Sequence, residues 1–190
     1  GIMKYVHPDD TNRKEIKPKA EPAIRFAEIL LIYAEALNEL EEGANYDVPS
    51  WDSSTTYSIK RDIDEMKKGI RPIRRRAGVP DYDLETVYKS QDEFRKKMKK
   101  ERQIELMAEG QRYFDLRRWK DAEVEESKKN YGCNFYMSDS KDQKEQFYTP
   151  IEITDLPTAF SRKLYFWPIS HEELKRNKRL TQNPGWTYND

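Results

Sequence analysis

The densest run of chemically capable side chains is Glu101 to Trp119: Glu-Arg-Gln-Ile-Glu-Leu-Met-Ala-Glu-Gly-Gln-Arg-Tyr-Phe-Asp-Leu-Arg-Arg-Trp. Within it Arg102, Glu105, Glu109, Arg112, Asp115 and Arg118 recur at steps of three or four. On a continuous helix such spacing stacks opposite charges along one face. That face could hold an anion or move a proton. It could equally join neighbouring helices through ion pairs, and this structural reading is the favoured one. The run supplies no nucleophile, no paired histidine and no metal-binding set. Other candidates for catalysis are as thin. His7 and His171 lie far apart without ligand companions, and Cys133 has no basic activator beside it in sequence. The acidic residues are too numerous for a glycosidase-type carboxylate pair to be singled out. Neither a catalytic residue nor a metal or cofactor site is nominated.

Aromatic side chains outside the helical patterns offer a different chemistry. Trp51, Tyr57, Tyr82, Tyr131 and Tyr136 lie in loops or at element edges. A flat ring on a surface stacks on the apolar face of a sugar; the same ring can instead seal a core beneath a loop. These five are the candidate ligand contacts. The basic clusters Arg71, Arg74, Arg75, Arg76 and Lys96, Lys97, Lys99, Lys100 could touch phosphate. However, 35 Lys and Arg balance 35 Asp and Glu among 190 residues, and a neutral chain is a poor general binder of nucleic acid.

The elements that must position these residues follow from periodicity. Ala23, Ala27, Leu30, Leu31, Ala34, Leu37 and Leu40 predict a helix over Pro22–Glu42, ended by Gly43. Residues 44–58, rich in Asn, Asp, Pro and Ser, read as a loop. Ile59, Ile63, Met66, Ile70 and Ile73 predict a second helix, kinked or broken near Gly69–Pro72. Ser90 to Glu93 is a capping box opening a helix to about Glu109, with a further helix or an extension over Gln111–Lys120. The three helical stretches resemble stacked helical hairpins. Beyond Lys120 the periodicity fades. Cys133–Met137 and Phe147–Ile153 could pair as a hairpin, Lys163–Trp167 could be a strand, and Ile2–Val6 another short one. A second capping box, Ser170 to Glu173, opens a short helix to about Asn177, and Gln182–Trp186 is a turn signature. The expectation is a mainly α chain. It forms a single partial domain over 1–190, with a helical-repeat-like core over 1–120 and a loop-rich part with short strands over 121–190.

Charged residues make up 37% of the chain and hydrophobic ones 36%, a balance that raises the question of disorder. Zero net charge and 12% aromatic content argue for a folded core. The longest apolar run, Ile29 to Tyr33, falls far short of the roughly 18 residues of a membrane span. One cysteine permits no internal disulfide. The first residues lack the basic and apolar regions of a signal peptide, and a start at Gly1 suggests a processed chain or a fragment.

Four ordered segments resemble the SusD/RagB family. Ile24 to Glu39 is similar to its "R-x-A-E-x-x-L-x-x-A-E-A-x-N" signature, and Ile73 to Pro80 to its "x-R-x-R-A-G-x-x" element. Glu101 to Trp119 is similar to "E-R-x-x-E-L-x-x-E-G-x-R-x-x-D-L-x-R-W". Trp167 to Ser170 with Glu173, then Gln182 to Trp186, is similar to the ending "P-I-P-x-x-E … Q-N-P-G-Y/W", with Ser170 in place of a proline. The resemblance implies a fold of tetratricopeptide-like helix pairs supporting loop-built ligand surfaces. It implies a non-catalytic, surface-exposed lipoprotein of a Gram-negative outer membrane. Such a protein binds oligosaccharide or another nutrient and works with a TonB-dependent, SusC-like transporter. Family members are far longer, so the chain resembles their C-terminal portion. The lipid-bearing cysteine is absent, and Cys133, lying mid-chain, cannot be that anchor. The alternative from the residues alone is a helical-repeat module that binds a protein partner.

Overall fold

The computed structural model describes residues 4, 7, 10, 22–133, 146–155 and 158–187. They form a mainly helical chain with two short antiparallel hairpins. It divides into two compact units, Gly1–Arg112 and Tyr113–Asp190.

In the first unit, α1 (Phe26–Asn38) packs against α2 (Ile63–Arg76) and α3 (Gln91–Glu105). The predicted periodicity is the packing pattern. Ala27, Leu31, Ala34 and Leu37 of α1 meet Met66, Ile70 and Ile73 of α2, with Phe94 and Met98 of α3, in the buried core. Each large side chain so buried contributes roughly 1.5–3 kcal/mol. The helix of α1 starts later and ends earlier than the apolar pattern, at Phe26 rather than Pro22 and at Asn38 rather than Glu42.

Of the kink or break predicted near Gly69–Pro72, the break does not occur: α2 is one helix through both residues. Packing explains the difference. Met66, Gly69, Ile70 and Ile73 are all buried and hold the turns on both sides of the proline. That burial outweighs the roughly 3 kcal/mol that proline costs a helix interior. Asp62 caps the helix, its Oδ1 accepting from the amides of Asp64 at 2.9 Å and Glu65 at 3.1 Å. Three arginines, Arg74 to Arg76, lie in the last turn, where they meet the negative end of the helix dipole.

Residues 44–58, read as a loop, hold a β-hairpin instead: β1 (Tyr46–Pro49) against β2 (Thr56–Ile59). The strands are only four residues each, and the Asp- and Ser-rich turn between them dominates the local composition. A single π-helical turn, Leu84–Tyr88, leads into α3 and buries Tyr88 against Phe94, ring centroids 5.5 Å apart. Ser90 caps α3, its hydroxyl accepting from the Glu93 amide at 3.3 Å. α3 stops at Glu105 rather than near Glu109. Ala108 (φ 65°) and Gly110 (φ 77°) turn the chain before α4 (Gln111–Arg118) begins.

The second unit carries most of α4, then α5 (Ala122–Glu125). β3 (Tyr131–Gly132) pairs with β4 (Ile151–Glu152). β4 lies within the predicted strand Phe147–Ile153, although Phe147 and Tyr148 are helical, and its partner Tyr131–Gly132 precedes the predicted Cys133–Met137; residues 134–137 are outside the described residues, as are Ile2, Met3, Tyr5 and Val6 of the predicted N-terminal strand. Arg162–Tyr165 is a 3-10 turn, not part of a strand; a short alternating run cannot separate the two without a partner strand. α6 (His171–Arg176) is the predicted short helix, capped by Ser170, whose hydroxyl accepts from the Glu173 amide at 3.4 Å.

Candidate functional site

The β1–β2 hairpin gathers the exposed rings of the first unit. Its register pairs Tyr46 with Ile59 and Val48 with Tyr57. Strand alternation places these four side chains on one face. Tyr46, Val48 and Tyr57 are exposed, Tyr57 to 56%, and Trp51 in the connecting turn is 98% exposed.

The turn beneath Trp51 is locked by its own polar groups. The Ser50 amide donates to the Thr55 carbonyl at 2.7 Å, and the Ser53 amide to the Ser50 carbonyl at 2.9 Å. Asp52 Oδ1 accepts from the Ser50 hydroxyl at 2.6 Å, the Ser54 amide at 3.1 Å and the Ser54 hydroxyl at 2.8 Å. The Ser50 hydroxyl in turn accepts from the Thr55 amide at 3.0 Å. These bonds, the Ser50 hydroxyl first and then the Ser54 amide and hydroxyl, hold the Asp52 carboxyl down to about 2. The result is a preorganised apolar platform with a carboxylate beside it. From Ala44 to Ile59 there is no Lys, Arg or His, while Asp47 and Asp52 are both present.

Of the other nominated aromatics, Tyr82 is not part of this platform. Tyr82 is built into the helical packing. Its hydroxyl donates to Glu101 Oε2 at 2.6 Å, the Arg74 guanidinium lies 4.1 Å from its ring centroid, and Phe94 meets it edge-on. Burial, then the bond to Glu101, pushes its phenol well above the usual range. Tyr131 lies in β3 of the second unit, 60% exposed. Tyr136 lies outside the described residues. So Trp51 and Tyr57 share one hairpin. Tyr46, Val48 and Asp52, which the sequence reading does not nominate, complete it. Their signal was Tyr-x-Val and Tyr-x-Ile alternation on either side of a Ser-Trp-Asp-Ser-Ser turn.

The charged run of α3 forms contacts between helices. Arg25, just before α1, donates from Nε to Glu109 Oε2 at 2.8 Å and from Nη2 to Glu109 Oε1 at 2.7 Å and Glu105 Oε1 at 2.9 Å. Lys4 adds bonds to Glu109 and to the carbonyls of Glu105 (2.7 Å) and Met107 (2.9 Å). Arg76 of α2 reaches Glu105, and Arg74 reaches Glu101 Oε2 at 2.5 Å. Because the helix ends at Glu105, the six nominated charges do not lie along one continuous helical face. Arg102 is buried in α3, while Arg112, Asp115 and Arg118 belong to α4, where Asp115 accepts from Arg118 at 2.9 Å. Burial works to raise the Glu109 carboxyl, but the bonds from Arg25 and Lys4 outweigh it and hold the group below its usual range. A general acid at neutral pH needs the opposite shift.

In the second unit Gln182 clamps Ile169. Its Oε1 accepts from the Ile169 amide at 2.8 Å, and its Nε2 donates to the Ile169 carbonyl at 3.0 Å. Asn183 Nδ2 donates to the Trp167 carbonyl at 2.6 Å. Trp186 Nε1 is shared between the carbonyls of Phe166 (2.8 Å) and Lys163 (3.0 Å). Gly185 adopts φ 83°, and a Cβ there would meet Lys163 Cβ at 2.8 Å, so only glycine closes this turn without strain. Among the described residues no group of three or more His, Cys, Asp or Glu is placed to hold a metal ion, and no described helix is long and apolar enough to cross a membrane.

Packed helical hairpins, bolted by guanidinium–carboxylate pairs and carrying an exposed aromatic hairpin, define a class of helical scaffold with an inserted surface loop. Within that class the chain belongs to the SusD family, whose model matches residues 1–186. It is similar in structure to a SusD-like protein from Bacteroides fragilis, with TM-score 0.59 and 26% identity over 86% of this chain. The chain spans 25% of the length of that solved chain. No curated protein matches it.

Proposed function

We propose that the chain is part of a non-catalytic glycan-binding protein of the bacterial outer membrane, one that passes oligosaccharide to a TonB-dependent transporter at the cell surface. The observation that carries this reading is the β1–β2 platform, with Trp51 and Tyr57 exposed on a locked turn, in a chain of the SusD family. Exposed rings held rigidly bind sugar faces at a low cost in side-chain ordering. Affinity electrophoresis against a panel of polysaccharides tests it. Retardation by at least one polymer, lost on Trp51→Ala, is the expected result; no retardation by any polymer refutes glycan binding.

A second reading, a helical module for a protein partner, draws on α1. Its outward face carries Phe26, Ile29, Ile32 and Tyr33, all exposed. A helix apolar on both sides is suited to lie between other elements. Co-purification from solubilised membranes separates the readings: recovery of an outer-membrane transporter favours the first, recovery of soluble partners alone the second.

A further inference from the structure

The platform's charge has a consequence for which glycans it takes. Trp51 stands beside Asp52, and consecutive Cα atoms are about 3.8 Å apart. Asp52 is therefore the carboxylate nearest in sequence to a sugar ring stacked on the indole, and a separation of about 7 Å is taken for a charged ring substituent. Only Oδ1 of that carboxylate is used by the turn, in its bonds to Ser50 and Ser54. Oδ2 is left to accept from a ligand hydroxyl. Asp47 lies on the opposite face of the strand by alternation, so Asp52 is the carboxylate nearest Trp51 in the turn, and no cation occurs from Ala44 to Ile59 to offset it.

We infer that the β1–β2 platform prefers uncharged sugar rings over uronate- or sulfate-bearing ones, with Trp51 as the stacking residue and Asp52 as the residue that sets this preference. The inference rests on the glycan-binding reading above. An indole face is negative and attracts the weakly positive C–H face of a neutral sugar. A sugar carboxylate or sulfate meets Asp52 instead. At about 7 Å in a water-like medium two like charges disfavour each other by roughly threefold in affinity. The Asp52 carboxylate also disfavours an anionic lipid surface, which exposed tryptophans otherwise enter.

The test uses the intact protein and matched polymers. Dextran, galactomannan, xyloglucan, laminarin and starch are screened by affinity electrophoresis. Each polymer that binds is then compared with its carboxymethylated form. The expected result is retention of the neutral polymer, at least tenfold loss of it in Trp51→Ala, and weaker binding of the carboxymethylated form. Asp52→Asn keeps an Oδ1 acceptor for Ser50 and Ser54. It should raise the ratio of acidic to neutral affinity about threefold in low salt, an effect that fades in about 1 M salt as the Debye length shrinks to about 3 Å. Equal or tighter binding of carboxymethylated polymers, lost in Trp51→Ala, overturns the selectivity while leaving glycan binding in place. Neutral binding untouched by Trp51→Ala puts the site elsewhere and overturns the inference. Trp51-dependent binding to phosphatidylglycerol vesicles overturns it too. Binding to none of these probes overturns both the inference and the reading beneath it.

Discussion

Gly69→Ala separates helix propensity from helix packing. In an exposed helix interior the change stabilises by about 1 kcal/mol, because glycine is a poor helix former. At Gly69 the new methyl has no room. An ideal Cβ there lies 2.5 Å from the Leu30 carbonyl oxygen and 2.8 Å from Ala34 Cβ on α1. The first is a backbone atom and cannot swing aside. Restoring an ordinary contact means moving α1 and α2 apart by roughly 0.7 Å, and overpacking of this kind costs about 1–3 kcal/mol. The same movement loosens Leu31, Met66 and Ile70, each fully buried between the helices. The steric cost therefore outweighs the propensity gain, with a net loss of up to about 2 kcal/mol, or a fall of up to about 4–8 °C in Tm. Urea denaturation followed by circular dichroism measures the loss, and amide exchange localises it to α1 and α2. The double variant with Ala34→Gly should show a favourable coupling of at least about 0.5 kcal/mol, since one of the two clashes disappears. A Gly69→Ala protein as stable as the parent, or more stable, refutes the close packing of α1 on α2.

Three further outcomes follow from the charged and polar joints. Arg25→Ala leaves Glu105 and Glu109, each 11% exposed at the side chain, without their shared fork, and should cost about 3 kcal/mol in urea denaturation. Arg25→Lys should recover only part of that, because an ammonium cannot bridge two carboxylates in the same plane. Glu109, Asp81 and Glu39 are all held below their ordinary carboxyl range. Their contribution to stability is thus complete above about pH 4.5 and is lost as pH falls through the folded-state values. A urea midpoint flat from about pH 7 to 5 and dropping below should lose part of that drop in Glu109→Gln; an unchanged acid slope in that variant contradicts the assignment. Trp186→Phe removes the donor shared by the Phe166 and Lys163 carbonyls and should cost about 1 kcal/mol, measured as faster amide exchange over residues 163–186.

The helices were legible where apolar spacing and caps agreed. Leu31, Ala34 and Leu37 placed α1, and the serines at 90 and 170 placed the starts of α3 and α6. What stayed hidden depended on contacts distant in sequence. Pro72 looks like a break until α1 lies against Met66, Ile70 and Ile73. The end of α3 turns on Ala108 at positive φ, a conformation that composition does not announce. The same holds for the candidate site. Trp51 and Tyr57 stood out as aromatics among polar residues. The strand pairing that sets Tyr57 beside Val48, and the role of Asp52 in locking the turn, appear only once the hairpin closes. Tyr82 shows the converse. By sequence it resembles Trp51, but the carboxylate of Glu101 and the guanidinium of Arg74 draw it into the packing.

The charged residues and the exposed aromatics thus divide the work. Arg25, Arg74, Arg76, Glu101, Glu105 and Glu109 are committed to contacts within the first unit. Buried ion pairs add little net stability for their desolvation cost, but they fix geometry, since a displaced partner strands a charge. That fixity reaches the hairpin through its stem. Asn38, the last residue of α1, is fully buried, and its Oδ1 accepts from Arg61 at 3.1 Å. Arg61, two residues beyond β2, also donates to the Tyr88 carbonyl at 2.8 Å. Asn38 Nδ2 donates to the Gln91 carbonyl at 3.0 Å, tying the same point to the start of α3. The segment between Asn38 and Arg61 therefore leaves and re-enters the scaffold at one anchored point. Its tip is locked again by Asp52. A platform held at both stem and tip surrenders little freedom when a ligand arrives, so each stacked ring can contribute to affinity rather than to ordering the loop. Opposite signs committed to positioning account for the balanced charge of the chain, while Ala44 to Ile59 carries no cation at all.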